Sequence, residues 1–242
     1  MRITENFVDS EVLGIRVLEV SDIEDPTQLT SIDVDWTTAD SRFLIVLKLP
    51  AGSVALIQRA EELGFRFSEC QLRLRRRLTG KPDILGTGFE FFEVLENETL
   101  EEVLQLVASL TWLDRFSLDP VFGPDLARAR YQAYVRRSFR EEDEVVLALR
   151  DRSTSRIVAF STFRRASATE ASGFLGGVCS EFQLTGLAVL HYQAFRNYLL
   201  ERGVKVVTTS VSALHHAAVH SHLNYMGYRV THTWVVLRKL YG

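Results

Sequence analysis

The sequence predicts a mixed α/β chain of the α+β kind, with a small N-terminal module followed by a larger domain. Three observations support this. β-rich runs alternate with helices that carry recognisable caps, a Pro/Gly-rich stretch breaks the pattern near residue 80, and each part ends on the same helix–glycine–strand pattern. With 242 residues, 46% hydrophobic and 24% charged, the chain has material for a sizeable core and the composition of an ordinary globular protein.

Taken in order, "VLGIRVLEV" and "RFLIVLKLP" are β-rich, the second ending at Pro50. "SVALIQRAEELG" opens on Ser53 as N-cap and stops at Gly64, as a helix does. "FRFSECQLRLRRRL" follows as a strand. "TGKPDILGTG", residues 79–88, gathers turn residues. This divides the chain into a β-β-α-β module over 1–80, a linker over 81–95 and a main domain over 96–242. In the main domain, "NETLEEVLQLVASLTWL" is a helix with Asn97 or Thr99 as cap and acidic residues in its first turn. "LDPVFGPDLARARYQAYVRRSFR" is a turn and a second helix beginning near Pro124 and Asp125. "DEVVLALRD" and "RIVAFSTFRR" make a hairpin around "RSTS", and "EASGFLGGV" is a third strand weakened by glycines. A helix to Gly203, the strand "VKVVTTSVS", the helix "HHAAVHSHLNYM" to Gly227 and the strand "YRVTHTWVVLRKL" complete the order α-α-β-β-β-α-β-α-β.

"ELGFRFSECQLRLRRRL" and "YMGYRVTHTWVVLRKL" both run from a helix end through Gly, aromatic and Arg into a strand. Leu74-Arg75 and Leu237-Arg238 stand at the same offset from Gly64 and Gly227. The echo suggests that the N-terminal piece is a truncated copy of the C-terminal βαβ end, although two ordinary helix–glycine–strand units share that pattern.

The net charge of −3 gives no global basic field for nucleic acid. "LRLRRRL" (Leu72 to Leu78) is the one dense basic patch, and its alternation reads as a strand with one charged face, an anion site being the alternative. Cys70 and Cys179 offer neither a disulfide framework nor metal spacing. No signal peptide opens the chain and no apolar run is long enough to span a bilayer. The expectation is a soluble cytoplasmic protein without membrane contact.

The stretch Gln183-Leu184-Thr185-Gly186-Leu187-Ala188 sits between an apolar strand and a helix. A helix N-terminus presents unpaired N–H groups and the positive end of the dipole, so it holds phosphate wherever no Cβ blocks the approach. Gly186 and Ala188 keep that approach open, and Gln183 adds a side-chain donor. The alternative is a tight strand-to-helix turn with nothing bound.

The surroundings of this turn resemble the GCN5-related N-acetyltransferase superfamily over residues 96–242. That family has a Val-x-Pro-x-Tyr strand end, then Arg/Gln-x-x-Gly-x-Gly/Ala, a helix ending Glu-Arg-Gly, a strand, an Asn-x-x-Ala helix, Gly-Phe and a last strand. Here stand Val178 to Gln183 without the Pro, Glu201-Arg202-Gly203, "VKVVTTSVS", "HHAAVHSHLNYM", Gly227-Tyr228 and "RVTHTWVVLRKL". The resemblance implies a fold with two splayed central strands, and makes the N-terminal module a truncated copy of it. It also implies acetyl-CoA, or another acyl-CoA, as co-substrate. The pyrophosphate would lie on Gln183, Leu184, Thr185, Gly186, Leu187 and Ala188, and the pantetheine along Gly177, Val178 and Cys179. "DSEVLGIRV", "LGFRF" and "DRFSLDP" are similar to the dTDP-fucosamine acetyltransferase branch, which implies an amino-sugar acceptor.

Acyl transfer to an amine needs a neutral amine, a stabilised oxyanion and a leaving thiolate. The family's thiolate-protonating Tyr falls at Leu223, and its Asn at His216. By helical spacing His216, His220 and Leu223 share one face. His220 is therefore the candidate replacement acid, with His216 and Leu223 near the cofactor. A zinc pair at His216 and His220 lacks a third ligand, so no metal is expected; packing or solvated histidines are the alternative. Glu170 is the carboxylate nearest the region where family bases sit. Arg115, Phe116, Asp119, Tyr131 and Tyr134 are candidates to line the acceptor pocket, the other reading being a helix–helix turn. The sequence thus points to an N-acyltransferase acting on a small-molecule amine, with a homodimer left open. Two alternatives keep the fold: a donor carried on tRNA or a carrier protein, or a catalytically degenerate binding module.

Overall fold

Among the described residues, apolar strands build one ten-stranded sheet with helices on both faces. The structure, a computed structural model, describes residues 1–37, 42–83, 86–183 and 185–242. In chain order the elements are β1 (Arg2–Glu5), α1 (Phe7–Leu13), β2 (Arg16–Ser21), α2 (Pro26–Thr37), β3 (Phe43–Pro50), α3 (Val54–Glu62), β4 (Arg66–Arg77) and β5 (Phe89–Glu93). They continue as α4 (Asn97–Ser109), α5 (Gly123–Arg140), β6 (Glu144–Asp151), β7 (Ile157–Arg165), β8 (Glu170–Val178), α6 (Leu187–Glu201), β9 (Val206–Ser212), α7 (His216–His220) and β10 (Arg229–Tyr241). The strand order is β1-β2-β3-β10-β4-β9-β8-β7-β6-β5.

That order interleaves the two parts of the chain. β4 lies between β10 and β9, and β10 lies between β3 and β4, all antiparallel. The parallel pairs β2/β3 and β8/β9 flank this centre symmetrically. The units β2-α2-β3-α3-β4 and β8-α6-β9-α7-β10 therefore repeat one path, and each sends its last strand into the other's half of the sheet. Gly64 and Gly227 both adopt positive φ, 87° and 67°, at the turn before that last strand. Glycine takes this conformation without a Cβ penalty, so the sequence echo reports one shared turn geometry.

Two rows of core fix which helices cover which face. Leu18, Val20, Ile45, Leu47 and Leu49 pack with Leu29 of α2 and with Leu56 and Ala60 of α3. On the same side, Leu74, Phe163 and Val207 pack with Tyr192, Phe195 and Leu199 of α6. The opposite face buries Val103, Leu104 and Val107 of α4 and Tyr131 and Val135 of α5 against Val146, Ala148, Val158 and Phe160.

Four elements were not expected from the sequence. The run taken as one strand from Val12 is divided, because Gly14 (φ 64°) ends α1, whose N-terminus is capped by Asn6 accepting from Asp9 N at 3.0 Å. Seven residues are too few for helical periodicity to show. β1 is a four-residue edge strand on β2. α2 follows a Pro at its first position, with Asp25 accepting from Thr27 N at 2.6 Å. β5 falls inside the stretch expected as linker and pairs with β6 through Phe89 to Glu93. The linker's first part is tied down by α6: Arg196 donates to Thr79 O at 2.5 Å and Lys81 O at 3.1 Å, and Asn197 Oδ1 accepts from Asp83 N at 2.7 Å.

Candidate active site

The central feature is a split in the sheet. β8 and β9 run parallel but pair only through Glu170, Ala171 and Ser172 with Val206, Val207 and Thr208. Beyond Ser172 the strands separate. On the other edge of β8, Thr162 faces both Phe174 and Leu175, a β-bulge between the Gly173 and Gly176 pairings with β7. A bulge bends its strand and increases twist, which turns β8 away from β9 where their pairing stops. Thr162 Oγ1 accepts the bulged Leu175 N–H at 3.2 Å, which satisfies that donor. From Gly173 to Val178, the β8 edge that faced β9 has no strand partner among the described residues.

The split leads to the turn into α6. Gly177 lies against α4: a Cβ there would come within 2.2 Å of Leu110 Cδ1 and 3.3 Å of Phe160 Cε1. Val178 is half-buried and Cys179 buried. A single 3₁₀ turn over Ser180–Phe182 follows, then exposed Gln183 and Thr185, the latter's hydroxyl folded onto Phe182 O at 2.7 Å. Leu184 lies outside the described residues. Gly186 is the N-cap, with φ 86°, and a Cβ placed on it would meet nothing within 4 Å. Its carbonyl accepts from Val189 N and Leu190 N, whereas the N–H groups of Gly186, Leu187 and Ala188 have no partner among the described residues. Leu187 turns its side chain into the core and Ala188 is half-buried. Among the described residues the mouth of α6 thus has no side-chain cap, the arrangement that holds a phosphate.

A cavity of about 290 Å³ lies against the split on the α5 face. Phe174 and Leu175 of β8 wall one side and Ser210 and Ser212 of β9 the other, with β4, α5 and the 114–115 loop completing it. Its charges are mostly paired. Glu69 holds Arg115 at 3.2 Å, with Glu19 behind at 3.8 Å. Buried Asp9 holds Arg130 at 2.7 Å. Glu144 accepts from Arg164 at 2.5 Å, Arg137 at 3.0 Å and the buried Ser138 hydroxyl at 2.7 Å. Burial pushes the Tyr131 phenol well up, helped by Asp114, to which it donates. Burial also raises Tyr134 to about 12, against the pull of Arg130. Both phenols stay protonated at neutral pH.

Of the acceptor-pocket candidates, Arg115, Tyr131 and Tyr134 come together in this cavity. Phe116 and Asp119 do not. Phe116 lies beneath the Arg115 and Arg130 guanidinium groups, 4.9 and 4.1 Å from its ring centre, and borders a separate hollow of about 10 Å³. Asp119 accepts twice from Arg238, pinning the loop to β10.

The structure corrects the shared face of His216, His220 and Leu223. α7 ends at His220 and Ser221–Tyr225 continues as a wide π turn, closed by Met226 N on Ser221 O. The wider winding changes the angular spacing after His220. Leu223 packs on the core beneath α6, while His216 and His220 are exposed, the latter bonded to Asn224 at 2.8 Å. Of their neighbours, His215 caps α7 through Ala218 N and His222 bonds Ala218 O at 2.7 Å. Glu170 is exposed at the paired end of β8 and does not line the cavity. Among the described residues no cluster of three metal-ligating side chains forms, and no helix is long and apolar enough to cross a membrane.

The sequence pattern leaves Glu144, Ser210 and Ser212 unmarked, all on strands, and marks Arg73 only as one arginine of the basic strand. The alternation of "LRLRRRL" was its available signal: Leu74 faces α6 and Arg73 the cavity. What hid the role is that β4 reaches this cavity only by crossing into the other half of the sheet.

No family model matches the sequence, and neither does any curated protein. Solved structures match across nearly the whole chain. A GCN5-related N-acetyltransferase from Sphaerobacter thermophilus is 16% identical, aligning 93% of this chain with 72% of that one at a TM-score of 0.63. A tandem GNAT protein from the clavulanic acid biosynthesis pathway is 12% identical over 93% and 75%, at 0.64. A GCN5-related N-acetyltransferase from Kribbella flavida is 14% identical over 93% and 81%, at 0.62. The chain has the fold of the GCN5-related N-acetyltransferases.

Proposed function

We propose that the protein is an N-acyltransferase that takes its acyl group from acyl-CoA and passes it to a small-molecule amine. One observation carries the proposal: the β8/β9 split runs from a polar cavity to the Gly186, Leu187 and Ala188 amides, which have no partner among the described residues. The residues fit the donor. The α6 mouth suits its diphosphate, and the unpaired β8 edge from Gly173 to Val178 suits an extended amide-bearing chain. Acetyl-CoA supplies a thioester whose thiolate is the leaving group.

The amine nitrogen attacks the thioester carbonyl carbon, the C–N bond forms and the C–S bond breaks. One proton leaves nitrogen and one reaches sulfur. Carboxylates Glu69, Asp114 and Glu144 are held in ion pairs or hydrogen bonds, so the chain presents them as fixed charges that orient an acceptor. The protonated Tyr131 and Tyr134 phenols donate to Asp114 and to Asn6 Oδ1, so they brace the cavity wall. An amino sugar belongs among the acceptors to be tried. Isothermal titration with acetyl-CoA tests the reading: one equivalent bound at micromolar affinity is expected, and no binding at high micromolar concentration overturns it.

The core position of Leu223 favours a second reading, a module that binds acyl-CoA without turning it over. Thiol release in the presence of amines separates the two.

A further inference from the structure

We infer that the cavity beside the split selects acceptors that carry an oxyanion, a carboxylate or phosphate, and that Arg73 is the residue that recognises it. This rests on the acyltransferase reading above and names the acceptor's chemical class.

Arg73 differs from the other cavity arginines in its partners. Arg115, Arg130, Arg137 and Arg164 each meet a carboxylate at 3.2 Å or closer. Arg73 meets none within ion-pair distance among the described residues. Its guanidinium donates instead to Thr208 Oγ1 at 2.9 Å and Ser210 Oγ at 3.3 Å, two hydroxyls of β9. The ionisation directions agree with this geometry. Glu144 raises Arg164, and Glu69 raises Arg115 against its burial, whereas Arg73 is lowered by burial alone. A half-buried cation without a counter-ion is costly, and a bound oxyanion removes that cost through charge-assisted hydrogen bonds.

The placement suits an acceptor. β4 sets Arg73 opposite Ser210 and Gln71 opposite Ser212, so the arginine and both serines share one wall of the cavity. Ser172, the last residue of β8 still paired with β9, lies beside them. An oxyanion held on Arg73 and Ser210 leaves the rest of a short acceptor to reach along the opening between the strands. The hydroxyls that now fill part of Arg73's donor set are neutral, so an anion displaces no competing charge.

The test uses three probes on the whole chain: 4-aminobutyrate, 2-aminoethyl phosphate and, as the uncharged-tail control, butylamine. Binding is read by titration in the presence of CoA, for the wild type and for Arg73→Gln and Arg73→Lys. At least one anionic amine is expected to bind about 10- to 100-fold more tightly than butylamine, the range of one or two charge-assisted hydrogen bonds. Arg73→Gln should erase that preference and Arg73→Lys keep part of it, and whichever anionic amine wins says whether the group is planar or tetrahedral. Butylamine binding as well as both anionic amines, no anionic amine binding at millimolar concentration, or a preference that survives Arg73→Gln overturns the inference. The melting temperature and the acetyl-CoA affinity of each variant are read alongside. Loss of acetyl-CoA binding in the wild type defeats the acyltransferase reading itself, whereas intact acetyl-CoA binding without anion preference defeats only this one.

Discussion

The two βαβ units of this chain follow one path, yet one is closed and the other open. In the N-terminal unit β2 and β3 pair through five residues, Arg16 to Val20 with Phe43 to Leu47, and do not part. In the C-terminal unit β8 and β9 pair through three and then separate at a bulge. The helix mouths differ in the same sense. At α2 the main chain meets its own side chains: Asp25 accepts from Thr27 N, and Gln28 accepts from Glu24 N at 3.1 Å. These hydrogen bonds hold the Asp25 carboxyl below its usual range, so the mouth already carries an anion. At α6 the cap is Gly186 and no side chain takes its place. In this repeated scaffold two local features, a bulge and a bare cap, occur together in one copy, the copy that holds the proposed donor site.

The strongest way to break this contrast is to give α6 the acidic mouth of α2. Ala188→Glu places a carboxylate in the first turn, where the helix dipole favours it. The melting temperature should hold or rise slightly. Acetyl-CoA affinity should fall by about a thousandfold, since like charges brought together across a binding surface cost several kcal/mol. A variant that melts normally and binds acetyl-CoA as the wild type does places the diphosphate elsewhere.

Acid sensitivity is a second point of difference, because the N-terminal 80 residues contain no histidine. His191 of α6 is buried at 7% exposure beside Phe91, and burial lowers it to about 4 against the raising effect of the Phe160 backbone. The folded protein therefore keeps it neutral between pH 6.5 and 4, while the unfolded chain takes up the proton. Stability present above pH 6.5 is lost as pH falls through that window, by about 3 kcal/mol from this residue. Burial lowers His215 and His222 as well, adding loss of the same sign. Denaturant unfolding at stepped pH should show the slope, and His191→Phe should flatten it. An unchanged slope in that variant assigns the sensitivity to other groups.

Gly186→Ala gives a smaller effect. The left-handed φ of 86° costs a Cβ-bearing residue about 1–2 kcal/mol, visible as a lower melting temperature even though the space around it is open. Equal melting of variant and wild type indicates that the turn relaxes.

What could be read beforehand followed the reach of each signal. The main domain's helix and strand order was legible because capped, periodic segments of ordinary length carry it, and the α6 mouth was legible because Gly186 and Ala188 stand at a strand-to-helix junction. α1, α2, β1 and β5 were not, being short or without an apolar stripe. The positions of His220 and Leu223 escaped because a π turn is not encoded in an i, i+4 count. Arg73 was legible as part of the basic strand, but its surroundings were not: Ser210 and Thr208 lie more than 130 residues away, across a strand exchange that no local pattern announces.

The smallest expected effect is also the one that isolates the cause. Asp25→Gly strips the carboxylate from the mouth of α2 and makes that cap resemble Gly186. If a bare cap were sufficient, a second equivalent of acetyl-CoA would appear in titration. The five-residue pairing of β2 with β3 leaves no opening for an extended chain, so the stoichiometry should stay at one, with only a modest drop in melting temperature from the lost cap. A second equivalent would mean that the strands part readily and that the side-chain cap alone keeps the N-terminal unit closed. Unchanged stoichiometry assigns the difference between the halves to the bulge at Phe174 and Leu175, which the N-terminal pairing of β2 with β1 lacks.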